Sequence, residues 1–165
     1  MSDPSQVVRL VADRGPGLAL YARQWLDAAS AEDVVQEALT ALLTQNPMPV
    51  DPVAWMARAV RNAAIDQVRS ASRRKRRERV VAEGRREWFE PTPESLIDGQ
   101  SAEAALRHLP EASREIVVLR IWSGLGFAAI AAVMNLSGSA VHNRYTTALD
   151  ELRNVMEKPC KNKTT

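Results

Sequence analysis

Apolar residues recur at helical spacing through most of the chain, and apolar and polar residues nowhere alternate for long enough to form a sheet. In the first half this spacing predicts helices over residues 7–26 and 31–43, and from residue 53 into a basic run. The first of these contains Gly15-Pro16-Gly17, where the helix either continues or breaks. The pattern therefore favours an all-α protein.

Start signals precede the second and third predicted helices. Ser30 is suited to cap a helix whose first turn carries Glu32 and Asp33, since acids there suit the helix dipole. Val35, Leu39 and Leu42 form the apolar stripe of that helix. Asp51 followed by Pro52 is a cap with a first-turn proline. The apolar stripe that follows it consists of Val53, Met56, Val60, Ala64 and Val68.

The pattern changes between Trp88 and Gly99, where acidic residues and prolines occur without periodicity. Such a segment is typical of a flexible linker. Helical spacing then resumes over residues 102–109, 111–122, 127–134 and 139–155. We therefore expect an all-α fold of two small helical domains, over residues 1–87 and 102–157, with a linker at 88–101 and a polar tail at 158–165.

One passage has the spacing of a dinucleotide-binding loop, Gly124-x-Gly126-x-x-Ala129, after a β-branched run. That loop requires a strand before it and a second parallel strand beyond it. Residues 136–145 instead have the pattern of a capped turn and a helix. We therefore expect no cofactor at this loop.

Composition excludes several other classes of protein. No run of eighteen apolar residues and no signal peptide is present in the 165 residues, so we expect a cytoplasmic protein without membrane insertion. One cysteine, Cys160, and two histidines on different predicted helices, His108 and His142, offer no metal site. We find no nucleophile with a histidine partner and no phosphate loop, so we expect no catalytic residue.

The net charge of +2 is distributed unevenly. Residues 1–57 carry three basic and seven acidic groups (−4), residues 58–86 carry eleven and three (+8), and residues 87–165 carry eight and ten (−2). A short, strongly basic segment indicates a polyanion partner, because Lys and Arg neutralise phosphates. A solvated basic helix face is the alternative.

The basic segment combines two chemistries on one predicted helix. Asn62 offers an amide for base edges, and Trp55 offers either a stacking surface or a core side chain. The cations able to reach phosphates are Arg58, Arg61, Arg69 and Arg73.

The last forty residues predict a helix-turn-helix. Asn135 suits a left-handed turn after a short apolar helix, and Ser137 suits the cap of the next helix. In that last helix the predicted core face consists of Val141, Tyr145, Ala148, Leu149 and Leu152. The polar residues around the rest of the helix, suited to the major groove unless they form an ordinary solvent face, are Ser139, His142, Asn143, Arg144, Thr146 and Asp150.

Three separated motifs together resemble the extracytoplasmic-function sigma factors of the sigma-70 family. AEDVVQEALTALL resembles a helix of region 2, VAWMARAVRNAAIDQVR resembles the promoter-melting helix that follows it, and residues 109–153 resemble region 4. Such proteins bind core RNA polymerase and promoter DNA, and an anti-sigma protein is a further candidate partner. The resemblance covers residues 18–80 and 103–153 and implies a non-enzymatic subunit.

The resemblance also assigns roles to individual residues. It implies that Asp33, Gln36 and Glu37 bind core polymerase, and that the loop at residues 45–50 captures a flipped base. With the arginines described above, the set expected at the minus-ten element is Arg58, Arg61, Asn62, Asp66, Arg69 and Arg73. The set expected at the minus-thirty-five element is Ser139, His142, Asn143 and Arg144. The positions that depart from the family pattern are Ala129, Asn135 and Thr147.

A regulator that acts alone through its helix-turn-helix is the other function that the pattern allows. Its first half would then be a dimerisation or sensing bundle, and the free protein would bind duplex DNA. A sigma factor would instead acquire specificity only together with polymerase.

Overall fold

The computed structural model describes residues 3–78 and 96–157, with side chains at 3–76 and 102–157. Within these residues every regular element is a helix, so the all-α prediction is confirmed. The helices are α1 (Pro4–Ala22), α2 (Ala28–Leu43), α3 (Pro52–Glu78), α4 (Leu96–His108), α5 (Glu111–Ile121), α6 (Phe127–Met134) and α7 (Gly138–Glu157). We refer to α1–α3 as the first half and to α4–α7 as the second half.

Helix α1 passes through its internal proline without a break. It begins behind Asp3, whose Oδ1 accepts a hydrogen bond from the Ser5 amide at 3.0 Å, and it ends at Ala22. Pro16 removes one backbone hydrogen bond, which costs about 3 kcal/mol in a helix interior. The continued helix buries Leu18 and Tyr21 completely, and burial of side chains of this size contributes about 2–3 kcal/mol each. Tertiary packing therefore outweighs the helix breaker.

Helix α2 begins at Ala28, three residues before its predicted start at residue 31. Asp27 is the observed N-cap, and its Oδ1 accepts a hydrogen bond from the Ser30 amide at 2.8 Å. The prediction that Ser30 caps this helix is wrong because a charged carboxylate is available one turn earlier, where the dipole favours it. The buried residues of α2 are Ala31, Val34, Ala38 and Leu42. The face that packs against the core is therefore slightly rotated about the helix axis from the predicted apolar stripe.

Helix α3 confirms its predicted start. The Oδ1 atom of Asp51 accepts a hydrogen bond from the Ala54 amide at 2.9 Å, and Pro52 is the first helical residue. The apolar stripe is buried as far as Ala64, whereas Val68 is 38% exposed. At 1.5 Å per residue the 27 residues of α3 extend about 40 Å, and its basic end projects beyond the core.

Helix α4 begins at Leu96, inside the predicted linker. The linker positions 88–95 and the tail at 158–165 lie outside the described residues. Helix α5 directly precedes the Gly124 loop, so the strand that a dinucleotide site requires is replaced by a helix. Gly124 has φ +66°, a left-handed conformation that suits glycine.

The turn between α6 and α7 has the predicted geometry. Asn135 lies in the left-handed region, with φ 55° and ψ 48°, and its amide donates to the Ala131 carbonyl. Ser137 Oγ accepts a hydrogen bond from the Ala140 amide at 3.2 Å and so caps α7. The helix-turn-helix prediction is therefore confirmed in its turn and its cap.

The two halves pack against each other through α1 on α5 and α3 on α6. Their buried side chains form one continuous cluster. The backbones of α1 and the end of α5 come close at Gly17, where an added Cβ atom would lie 2.3 Å from the Trp122 carbonyl oxygen. Among the described residues, no helix is both long enough and apolar enough to span a bilayer.

Asn135→Ala should lower the free energy of unfolding by about 1 kcal/mol, because an alanine Cβ is strained in the left-handed region whereas asparagine tolerates it. Urea denaturation measures this difference. Asn135→Gly is the matched control and should stay within a few tenths of a kcal/mol of the parent, since glycine adopts this conformation freely. Equal stability of the alanine and glycine variants would contradict the argument.

Candidate nucleic-acid interface

One exposed face of α2 carries Asp33, Gln36 and Glu37, the residues that the resemblance assigns to polymerase. They line an open groove of about 520 Å³ together with Thr40, Ala41 and Thr44. The face is opposite the buried stripe of α2, which fixes the helix against the core. It thus offers carboxylates, amides and hydroxyls to a partner without disturbing the packing of the first half.

Helix α3 presents a polar row on the side opposite its buried stripe. Asn62, Asp66, Arg69 and Arg73 are all exposed, and their offsets of four, seven and eleven residues place them on one face. Trp55 is not in this row: it is half-buried and packs against the core. The row combines two cations with an amide and a carboxylate, as a surface for phosphates and base edges would.

Arg61 belongs to a different side of α3 and contacts the second half. Its Nε atom lies 2.8 Å from Oε2 of Glu115, and its Nη2 atom lies 3.4 Å from Oε1. Tyr21 of α1 donates its hydroxyl hydrogen bond to the same Oε2 at 2.7 Å. The Glu115 side chain is 3% exposed and that of Arg61 25% exposed. Three helices therefore meet at one buried carboxylate.

The titration of this cluster follows from its contacts. The hydrogen bond with Glu115 raises the pKa of Arg61 above its usual range, although partial burial opposes this. Burial raises the pKa of Tyr21, and the Glu115 carboxylate adds to the rise because a phenolate beside it would be repelled. Arg61 therefore stays charged and Tyr21 stays a hydrogen-bond donor.

Two further contacts cross between the halves. Arg58 Nη2 donates to the Ala132 carbonyl of α6 at 2.6 Å, and Trp25 Nε1 donates to Glu111 Oε1 of α5 at 3.0 Å. Arg58 and Arg61 were both expected at the minus-ten element. Both contact the second half in the structure: Arg61 lies on another side of α3, whereas Arg58 is exposed and lies one turn before Asn62 on the face of the polar row.

The polar face of helix α7, which is predicted to contact DNA, is exposed. Ser139, His142, Asn143 and Arg144 are all exposed, and Val141 and Ala148 are buried on the other side. Tyr145 and Leu152 are partly buried and pack against the core. The predicted division of α7 into a core face and a polar face is thus observed.

An aromatic cluster supports this face of α7. The ring of Phe127 makes edge contacts with His142, at 5.3 Å between centroids, and with Tyr145, at 5.2 Å. The Arg120 guanidinium lies over the same ring at 4.8 Å. The start of α7 is therefore held against α6 at the position where its polar residues face outward.

Sequence reasoning did not predict the roles of Tyr21, Trp25, Glu111 and Glu115. One signal was available: Glu115 directly precedes the apolar run Ile116–Leu119, and all of these residues are buried. A carboxylate at the start of a buried run needs a partner, because an unpaired buried charge is costly. The identity of that partner depends on contacts between residues 54 and 94 positions apart.

Comparison with known families matches both halves. The model of Sigma-70 region 2 matches residues 10–74, and the model of Sigma-70, region 4 matches residues 99–152. The two models together match more than half of the chain, so this chain belongs to the sigma-70 family. The acidic face of α2 and the polar row of α3 lie in region 2, and the exposed face of α7 lies in region 4.

Two curated relatives are 30% identical to this sigma-70 chain. The ECF RNA polymerase sigma factor SigE of Mycolicibacterium smegmatis aligns with 93% of this chain and 61% of its own length. The probable RNA polymerase sigma factor RfaY of Xanthomonas campestris pv. campestris aligns with 78% of this chain and 34% of its own length. The chain thus spans less than two thirds of either relative.

Two solved structures have the same fold. The sigma factor RpoE in complex with the anti-sigma factor NepR, from Bartonella quintana, has a TM-score of 0.72 at 22% identity and covers 94% of this chain and 96% of its own. CnrH in complex with the cytosolic domain of CnrY has a TM-score of 0.63 at 24% identity and covers 96% and 92%. These likenesses support the all-helical architecture.

Tyr21→Phe should lower the free energy of unfolding by about 1.5–3 kcal/mol, because it removes a buried hydrogen bond to a charged carboxylate. Urea denaturation monitored by far-ultraviolet circular dichroism gives the value. Tyr145→Phe, on the half-buried ring of α7, is the control and should change stability by less than about 0.5 kcal/mol. If the two variants are equally stable, the Tyr21 hydroxyl contributes nothing to the packing of the halves.

Proposed function

We propose that this chain is a sigma factor that binds core RNA polymerase and directs it to particular promoters. The observation that carries the proposal is the presence of both sigma-70 regions on one chain, each with its polar surface exposed. Region 2 would contact polymerase and the minus-ten element, and region 4 the minus-thirty-five element. Regulation by an anti-sigma protein is part of the proposal, since the RpoE structure with the same fold holds that sigma factor in complex with the anti-sigma factor NepR.

Docking would begin at the groove on α2. Exposed carboxylates such as Asp33 and Glu37 affect the recognition of a partner more than the stability of their own helix. The neighbouring Gln36 amide and Thr40 hydroxyl can pair with polar groups of the polymerase. The groove is formed by one rigid helix, so binding would need no rearrangement of the first half.

Promoter opening would depend on the polar row of α3 and on the loop before it. Arg69 and Arg73 would hold phosphates, while Asn62 and Asp66 would face bases. Residues 45–47 of the loop are exposed, and Val50 is fully exposed, so a base extracted from the stack could reach this segment. Extraction of a base costs a few kcal/mol, which a binding pocket can offset.

Recognition of the minus-thirty-five element would use the start of α7. Asn143 can pair with a base edge in the major groove, and Ser139 and His142 lie beside it on the exposed side. Arg144 lies on the flank of the helix, which suits a phosphate contact. The contacts of Phe127 with His142 and Tyr145 would hold the start of α7 in place, so that these side chains stay aligned with the major groove of the DNA.

The proposal places the protein in the cytoplasm, where bacterial polymerase acts, and assigns it no catalysis of its own. Bond formation would belong to the polymerase. A regulator that acts alone is not favoured, because region 2 occupies the half that such a regulator would use for dimerisation or sensing.

Transcription with purified components tests the proposal. Core RNA polymerase from the source bacterium, mixed with this chain, should initiate from a cognate promoter that core enzyme alone ignores. The free chain should bind the same duplex weakly, since region 2 needs unpaired bases. Tight protection of duplex by the free chain, without initiation in the mixture, would overturn the proposal.

Reversal of two charges on α2 should weaken binding to core polymerase. Asp33→Lys with Glu37→Lys should lower the affinity about tenfold or more, because both carboxylates line the docking groove, and should leave helicity unchanged. Fluorescence anisotropy of a labelled chain measures the affinity. Asp13→Lys with Glu32→Lys makes the same charge change at exposed positions outside the groove and should bind as the parent does.

Two neighbouring residues of α7 should have different effects on promoter selection. Asn143→Ala should reduce the discrimination between the correct and a wrong base pair at one position of the minus-thirty-five element by about 1–3 kcal/mol. Arg144→Ala should weaken binding to all sequences alike. Holoenzyme binding to a panel of promoters with single substitutions upstream distinguishes the two effects. The same profile for both variants would contradict the assignment of base and phosphate contacts.

A further inference from the structure

Helix α7 carries an exposed threonine whose hydroxyl proton is already used within the helix. Thr146 Oγ1 donates a hydrogen bond to the His142 carbonyl oxygen, one turn earlier, at 3.0 Å. Thr146 is nevertheless exposed, and helical spacing places it on the same polar side as Ser139 and Asn143. It therefore belongs to the surface that would enter the major groove.

The engaged hydroxyl limits what Thr146 can offer to DNA. A threonine hydroxyl has a single proton, so one that donates to the His142 carbonyl has none left for another acceptor. Phosphate oxygens and the N7, O6 and O4 atoms of the bases are all acceptors. A contact from the hydroxyl to any of them would require the bond to His142 to break. The γ-methyl of Thr146 points away from that carbonyl, because Cβ is tetrahedral, and it remains available without any such loss.

The neighbours of Thr146 along α7 leave this methyl uncovered. The ring of His142 makes its edge contact with Phe127 of α6, at 5.3 Å between centroids. Asp150, one turn after Thr146, is paired with Arg153 at 3.5 Å. A carboxylate is repelled by phosphates, so the groove contact is expected on the turns before Asp150. Those turns include Thr146.

We propose that Thr146 is a specificity-determining residue that contacts the 5-methyl group of a thymine in the minus-thirty-five element. This methyl is an apolar group displayed in the major groove, and a threonine methyl is one of its usual partners. Asn143 lies three residues earlier, about 4.5 Å along the helix axis, which is close to the spacing of about 3.4 Å between successive base pairs. Asn143 would thus pair with an adenine, and Thr146 would contact a thymine at a neighbouring base pair. This inference rests on the proposed function.

Two substitutions separate the methyl of Thr146 from its hydroxyl. Thr146→Ser removes the methyl and keeps a hydroxyl that can donate to the His142 carbonyl. Thr146→Val keeps a methyl and removes the hydroxyl. Deoxyuridine makes the matching change in the DNA, because it lacks only the 5-methyl group of thymine and still pairs with adenine. Thr147→Ser is the control, since it makes the same chemical change at the adjacent exposed position.

The experiment uses holoenzyme assembled from core polymerase and the full chain. Selection from DNA randomised across the minus-thirty-five element gives the preferred sequence, and a deoxyuridine then replaces each of its thymines in turn. With the parent chain, one of these replacements should weaken promoter binding about three- to fivefold, the loss expected for one buried methyl group. This comparison needs no variant, so it does not depend on how a substituted chain folds.

The variants then assign the thymine methyl to Thr146. Thr146→Ser should weaken binding to the thymine promoter by the same factor and should lose nothing further with deoxyuridine, because the two methyl groups act as a pair. Thr146→Val and Thr147→Ser should keep the sensitivity of the parent to deoxyuridine. Far-ultraviolet circular dichroism checks that each variant keeps its helicity.

Several results would overturn the thymine contact. They are a selected element without thymine, equal binding of thymine and deoxyuridine at every position, and a deoxyuridine loss in Thr146→Ser as large as in the parent. Weaker binding by Thr146→Val, with parental binding by Thr146→Ser, would assign the contact to the hydroxyl instead. A parent chain that fails to initiate with core enzyme contradicts the proposed function, whereas a parent that initiates but does not distinguish deoxyuridine from thymine contradicts the role of Thr146 alone.

Discussion

The packing of this chain depends on one buried carboxylate. Glu115 lies between Arg61 of α3 and Tyr21 of α1, and all three side chains belong to different helices. A carboxylate removed from water at this depth must be paired, because an isolated buried charge is strongly unfavourable. That requirement fixes how the second half sits on the first. Apolar contacts alone would tolerate several registers between α5 and its neighbours, whereas hydrogen bonds of 2.7 and 2.8 Å to one oxygen do not.

The same constraint divides α3 into three sides with different roles. Its apolar side closes the core of the first half, as the burial of Met56 and Val60 shows. A second side, with Arg61, faces Glu115 of the second half. The third side remains exposed and keeps the polar row intact. One long amphipathic helix can therefore stabilise a domain, join two domains and present a polar surface without any conflict among these roles.

Local chemistry was enough to predict most helix boundaries in the described residues. Asp51, Asn135 and Ser137 act through atoms within a few residues of themselves, so their caps and turn could be predicted from sequence. The outcome at Pro16 could not be predicted in this way, and at Ser30 a second local candidate for the cap was overlooked. At Pro16 the outcome depends on burial of Leu18 and Tyr21 against distant helices. At Ser30 a stronger capping residue one turn earlier decides where the helix begins.

The sequence by itself determined the all-helical class, the helix-turn-helix and the exposed polar face of α7, because periodicity and capping are local properties. Motifs in the right order also predicted the family. The tertiary structure alone decided that Arg58 and Arg61 contact the second half, through the Ala132 carbonyl and the Glu115 carboxylate. Helical spacing places Arg61 on another side than Asn62 and Arg69, but it cannot show which arginine finds a partner in the second half. The partner of Arg61 is a carboxylate far along the chain, and the need of that carboxylate for a partner is met only when the helices pack.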